Sequence, residues 1–215
     1  MRALIVLAMV GGACAAVLAA LWFTPAAPGL GEAAFAGLPE TGVANPVTAT
    51  LLDFRGTDTF LEVAVIALAV AGARALALKP TAPPPVDSPV ARGSAAVLAP
   101  VIVVVAGYLL WTGTTKPGGA FQAGAVLAGG LVLLETTTAT RPWWRQGMAL
   151  RLATIAGTLA FLAAGFGTVA TGLAFLDYPG AAIAYATILA IETVATMSIA
   201  VCLAALLAAD PEGAP

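Results

Sequence analysis

The chain has 215 residues, nine Lys+Arg against eleven Asp+Glu, no histidine and a formal net charge of −2. Hydrophobic residues make up 60%, charged residues only 9%, and the mean hydropathy is +0.99. A soluble domain carries roughly 25% charged residues, so this composition belongs to an integral membrane protein, and with no basic patch it gives no support to a nucleic-acid partner.

The first apolar run is Ala3–Phe23, long enough at roughly 1.5 Å per residue to cross a core of about 30 Å. Arg2 and the alanines near residues 19–27 also fit a cleaved signal peptide, but the usual apolar region there is only about 7–15 residues. A retained span is the expectation, with Ala8, Gly12, Ala16 and Ala20 as a small-residue packing stripe. Residues 24–52 are rich in Pro, Gly and Ala, include Glu32 and Glu40, and read as a loop of low information with room for a short interfacial piece. The second span is predicted over Thr59–Leu78. Residues 79–94 then hold five prolines, which forbid helix and favour an extended linker, the best domain seam in the chain. A third span follows over Ala95–Trp111, and the turn GTTKPGGAF leads into a fourth over Ala120–Glu135. The segment TTTATRPWWRQGMALR is polar, basic and tryptophan-bearing, the pattern of a membrane interface. Fifth and sixth spans cover Leu152–Leu173 and Thr187–Ala208, before a short tail, 209–215. The expected fold is an all-α polytopic membrane protein with about six transmembrane helices.

If six spans alternate, one side holds Arg2, Arg74, Lys79, Arg92, Arg141, Arg145 and Arg151, and the other only Arg55 and Lys116. The positive-inside rule then places both termini in the cytoplasm. Asp53, Arg55, Asp58, Glu62 and Lys116 fall at the outer face.

The stretch Asp53–Glu62 gathers four ionisable side chains, Asp53, Arg55, Asp58 and Glu62, at the mouth of the second span. A charge costs roughly 2.5–3.5 kcal/mol or more at mid-helix and much less at the interface, so the cluster suggests an ion-handling site. The bland reading stays open: Thr59-Phe60-Leu61-Glu62 fits a capping box. On that reading Asp58 is a helix-start acid favoured by the macrodipole, and Arg55 neutralises Asp53 or Asp58. Glu192 is predicted five residues into the sixth span, where no cap geometry accounts for it. Acids inside spans usually face a bundle interior or a wet cavity and pair with something; Thr193 and Thr196 are candidate partners, and a structural ion pair with another subunit is the alternative. Glu135 reads as an interfacial partner for Arg141 or Arg145. Pro117, Gly118 and Gly119 interrupt the helical pattern before Phe121 restarts it. They mark either a broken segment beside an ion path or a tight turn with Ala120, Gly124 and Ala128 as a packing stripe.

No phosphate loop is present, and a chain without histidine lacks the commonest metal ligand and any Ser-His or Cys-His pair. Cys14 and Cys202 both fall inside predicted spans, which argues against a disulfide framework. Neither an enzyme nor a cofactor is expected, and no resident metal.

Two stretches resemble known families. NPVTATLLDFRGTDTFLEVAVIALAVAGARAL is similar to the C-terminal end of the large A subunit of Mrp-type Na⁺/H⁺ antiporters, whose V-D-F-R-G-x-D-T-x-x-E motif is matched by Asp53, Phe54, Arg55, Gly56, Asp58, Thr59 and Glu62. A small subunit of membrane-bound hydrogenases is similar there. Residues 95–208 resemble the four-span Mrp B subunit, with its G-H-N-x-P-G-G-G-F motif. Here Thr114 and Thr115 replace His and Asn, and Ala120 the third Gly, while Pro117, Gly118, Gly119 and Phe121 match. The family's F-D-x-G-V stands as Ile191-Glu192-Thr193-Val194-Ala195, the acid kept and the glycine lost. The chain therefore resembles a fusion of a two-span module, 1–78, and a four-span module, 95–208. The resemblance implies an accessory subunit of a multi-subunit monovalent cation/proton antiporter in a bacterial cytoplasmic (inner) membrane, working with the other Mrp-type subunits, the lipid bilayer and the transported Na⁺ and H⁺. Glu62 and Glu192 become candidate ion-path groups, with Asp53 and Asp58 as an outer collecting cluster. A purely structural scaffold subunit of an antiporter- or hydrogenase/complex I-related membrane complex is the alternative.

Overall fold

The computed structural model describes residues 11–12, 14–16, 18–20, 22–23, 30–76, 86, 88–137 and 147–207. The chain divides into two compact units, Met1–Ala33 and Ala34–Pro215. In the first unit the described residues between 11 and 23 are helical, and the expected first span lies largely outside the described residues. So do half of the proline-rich linker, the 209–215 tail, and Arg2, Lys79, Arg141 and Arg145.

From residue 31 the order is α1 (Gly31–Gly37), a 3₁₀ turn (Leu38–Glu40), α2 (Pro46–Ala49), a π-helical turn (Thr50–Phe54), α3 (Gly56–Ala75), α4 (Pro89–Thr112), α5 (Ala120–Thr137), α6 (Gly147–Ala170) and α7 (Ala181–Leu207). No strand occurs among the described residues. Helices α3 to α7 are each long and apolar enough to cross a membrane, so the all-α polytopic fold is present. In hydrocarbon no water satisfies backbone N–H and C=O groups, which leaves helices as the spanning form for such sequences.

Several boundaries differ from expectation for local reasons. The third span begins at Pro89, not Ala95, because Ser88 caps it, its Oγ accepting from Ala91 N, and Pro89 occupies the first turn, where its missing N–H costs nothing. The second starts at Gly56 rather than Thr59. The fifth begins at Gly147, so the segment read as interface is helical from that residue onward. The sixth begins at Ala181, after Gly180 turns the chain with a φ of 103°. The 24–52 loop is also more ordered than its composition suggested, carrying α1, α2 and both tight turns.

Helix α7 is the most buried element and packs against α3, α5 and α6. Small residues permit the close approach that packing in lipid relies on. Gly124 faces Ile199 and Gly157 lies between Val63 and Ser198. Ser198 Oγ donates to Thr154 O at 2.9 Å, a polar rung between α6 and α7, and buried Cys202 donates more weakly to the same carbonyl. At one end, Phe60 meets Phe161 and Phe175 with centroids 6.0 and 6.2 Å apart. That end also gathers three connecting segments: residues 41–54, the 113–119 turn and the 171–180 loop. Ala44 N and Asn45 N donate to Thr114 O, and Tyr178 Oη donates to Leu52 O at 3.2 Å. At the opposite end Val86 N donates to Thr136 O.

Candidate functional site

Glu192 is the twelfth residue of α7, roughly 16 Å along it at 1.5 Å per residue, much deeper than the five residues expected. Only 4% of it is exposed. One carboxylate oxygen, Oε1, accepts from Ala120 N at 3.3 Å. Ala120 is the first residue of α5, and the first amides of any helix have no partner within it. The expectation that no cap geometry accounts for this acid is overturned: it caps another helix, α5. The α4–α5 turn must be sunk well below the start of α7 to make this contact. Gly119 makes it possible, with a φ of 105° and no Cβ; a Cβ there would stand 2.6 Å from Glu192 Oε1.

The other oxygen, Oε2, is buried and has no hydrogen-bond partner among the described residues. The residue lines a cavity of about 280 Å³ together with Glu62, Gln122, Thr48 and the Gly118–Gly119 backbone, with Val63, Phe161 and Ile191 as part of its apolar wall. Exposed Glu62 and buried Glu192 thus line one space, although they come from helices far apart in the sequence. The chamber has room for several waters or a hydrated cation, and its polar groups are mainly oxygens, the ligand type hard cations prefer.

The capping-box expectation for Glu62 is overturned. Helix α3 starts three residues earlier, with Arg55 at the cap position and no side-chain cap bond. Thr59 Oγ1 instead donates to Leu51 O at 2.6 Å, back into the π turn. Glu62 is left exposed at the cavity. Thr193 and Thr196 also do not bond the Glu192 carboxylate: their hydroxyls donate to the carbonyls of Leu189 and Glu192 within α7. Arg55 pairs with Asp58, three residues on; Arg55 is exposed and Asp58 half-buried. The proposed arginine partners of Glu135 lie outside the described residues.

Asp53 is separated from that pair. It lines a second concavity with Glu40, Thr41, Asp177 and Tyr178. Burial first, and then the charge of Asp177, raise its carboxyl above the ordinary value of 3.8. The same surroundings, burial and then Asp53, push the Tyr178 hydroxyl upward, so it stays protonated and donates to Leu52 O. Leu176 sets this loop, taking a φ of 62° that a non-glycine residue rarely adopts, with its amide donating to Thr168 Oγ1 at 3.0 Å. Asp177, Tyr178, Gln122 and Asn45 were missed by sequence reasoning. For Asp177 the D-Y-P-G turn beside a span was the available signal.

Residues 90–209, just over half of the chain, match the family described as "Domain related to MnhB subunit of Na+/H+ antiporter". No curated protein sequence matches the chain. Among solved structures, the chain superposes with a TM-score of 0.63 and 21% identity on a chain of the Mrp complex from Dietzia sp. DQ12-45-1b, covering 100% of this chain and 27% of that one. It superposes equally, TM-score 0.63 and 22% identity, on a chain of the membrane-bound sulfane sulfur reductase, an archaeal respiratory membrane complex, covering 93% of this chain and 94% of that one. The chain thus spans about a quarter of the first relative and nearly all of the second. At these identities the likeness is one of fold.

Proposed function

Because the chain belongs to the family of domains related to the MnhB subunit of Na⁺/H⁺ antiporters, we propose that it is an accessory membrane subunit of an Mrp-type cation/proton antiporter and contributes the Glu62–Glu192 cavity to the cation path. One observation carries this reading: Glu192 is buried among helices, held by Ala120 N through one oxygen with the other left without a hydrogen-bond partner among the described residues, and it lines a cavity that Glu62 also lines. Acids this deep in a span usually face a path for ions or protons. Positive charge counted by side supports both termini in the cytoplasm and the cavity mouth outside, in a bacterial inner membrane.

The neighbours within a complex are the large antiporter-type subunits, of which this chain resembles only the C-terminal end of one. Na⁺ and H⁺ are the transported ions on this reading, and no cofactor takes part. The test is Glu192→Gln in the native complex, with antiport measured in inverted membrane vesicles and the assembled complex quantified beside it. Loss of antiport at normal complex yield is expected; wild-type antiport sinks the ion-path role.

A scaffold role is the second reading. It is favoured by the α4 face carrying Val90, Val97, Val101, Val104 and Tyr108, which is apolar and exposed and suits a neighbouring helix as well as lipid. A scaffold acid changes complex yield when amidated, whereas a path acid changes the cation dependence of antiport.

A further inference from the structure

We infer that Asn45 and Thr48 are positioning residues for Glu192, clamping the sunken α4–α5 turn so that the Ala120 amide meets the carboxylate. The inference rests on the reading of Glu192 as a path group. Asn45 Nδ2 donates to Gly113 O at 2.9 Å and to Lys116 O at 2.8 Å, and Thr48 Oγ1 donates to Gly113 O at 2.5 Å. The amides of Ala44 and Asn45 both reach Thr114 O, at 2.9 and 3.0 Å. Every one of these acceptors lies beyond the last residue of α4, where carbonyls have no intrahelical partner. Inside a membrane bundle, non-helical backbone survives only where protein or a wet cavity satisfies it. Residues 44–48 supply that satisfaction. Only Pro117, Gly118 and Gly119 separate the last clamped carbonyl from Ala120, so fixing the turn fixes the amide that holds Glu192.

Both side chains are buried, Asn45 to 5% and Thr48 to 4% exposure. Asn45 also caps α2, its Oδ1 accepting from Val47 N at 3.1 Å. That duty alone is met as well by serine, and it leaves Nδ2 unexplained. Two donors aimed at two carbonyls of a turn about seventy residues away are what asparagine adds. Gly42 brings the same segment against the start of α7: with a φ of 73° it sits where a Cβ would strike Ala181 O. One short segment therefore ties the turn to the helix that carries Glu192.

The test uses the intact complex carrying Asn45→Ser, Thr48→Val or Thr48→Ser. Serine at 45 keeps the cap and removes the reach to the turn; valine at 48 removes the hydroxyl at nearly constant volume, and serine there restores it. Two readouts are taken, amide hydrogen exchange over residues 113–121 and the cation concentration for half-maximal antiport. Asn45→Ser and Thr48→Val should speed exchange at the turn about tenfold, as loss of buried hydrogen bonds implies, with exchange in α6 unchanged. The half-saturating cation concentration should rise by about the same factor at normal complex yield, and Thr48→Ser should behave as wild type. Unchanged exchange at the turn overturns the clamp. Faster exchange with wild-type cation dependence overturns its link to Glu192. Should Glu192→Gln keep full antiport, the path reading fails on its own, and exchange alone still decides whether the clamp exists.

Discussion

The backbone amide of Ala120 donates to Glu192 Oε1 at 3.3 Å, joining residues 72 positions apart. The contact solves two problems together. Helix α5 begins inside the bundle with unpartnered amides, and α7 carries a carboxylate far from its ends. A helix start bears partial positive charge, equivalent to about half an elementary charge, so each group offsets the cost of burying the other. Only one carboxylate oxygen is used; the second is buried without a hydrogen-bond partner among the described residues.

Gly119→Ala tests that geometry directly. The residue has a φ of 105°, and its new Cβ would lie 2.6 Å from Glu192 Oε1. Forcing a side chain into such a backbone costs on the order of 1–3 kcal/mol, and the carboxylate must also move off Ala120 N. A lower melting temperature of the purified complex and loss of antiport are expected. Gly129→Ala, where a Cβ meets nothing within 4 Å, is the control and should be silent. Wild-type melting and antiport in Gly119→Ala would show that the Ala120–Glu192 contact is dispensable.

Glu62 stands at the same cavity but is exposed, so its amide variant should act differently. Glu62→Gln removes one solvated charge and should raise the half-saturating cation concentration about two- to fivefold at low salt, less at high salt, with the maximal rate nearly intact. Antiport assays at two ionic strengths decide it. Complete loss of transport would give Glu62 the role assigned to Glu192.

Five of the expected six spans, α3 to α7, were legible in the sequence because apolar runs of span length admit one interpretation in a membrane. Their starts were less so. Pro89 looked like linker because proline forbids helix interiors, yet Ser88 makes it a first-turn residue. Thr59 and Glu62 fit a capping box, but the π turn moved the helix start to Gly56 and turned Thr59 back onto Leu51. Glu192 was visible as an anomalous charge. Its partner was not, since that contact depends on how far the α4–α5 turn sinks into the bundle, which no local pattern encodes. The same holds for Asp53 beside Asp177, residues on separate connections brought together by packing at one end. Asn45 looked like an ordinary residue before a proline.

Close helix packing gives an independent prediction. Gly124 lies so near α7 that a Cβ would meet Ile199 Cγ2 at 2.9 Å and Thr196 O at 3.1 Å. Gly124→Leu therefore overfills the α5–α7 interface, and overpacking typically costs about 1–3 kcal/mol. Reduced complex yield and an earlier melt are expected. Because Thr196 is four residues from Glu192 on α7, the surviving complex should also transport poorly. Normal yield and melting in Gly124→Leu would mean α5 and α7 can separate without harm.

The Asp53–Asp177 pair should give stability a pH dependence with a defined sign. Burial first and Asp177 second raise the folded carboxyl of Asp53 above 3.8, so in this range the folded state binds more protons than the unfolded one. Stability then falls as pH rises. The contribution of Asp53 is fully present below its unfolded value and is lost as pH climbs through its higher folded value. Asp53→Asn removes that loss outright, whereas Asp177→Asn removes only the second cause and should shrink it. Melting temperatures of the complex from pH 4 to pH 8, read as wild type minus variant, give the result: the difference should decline with rising pH for both variants, more steeply for Asp53→Asn. A difference that grows with pH would mean Asp53 is stabilised as the anion, and the place of Asp177 beside it would need another account.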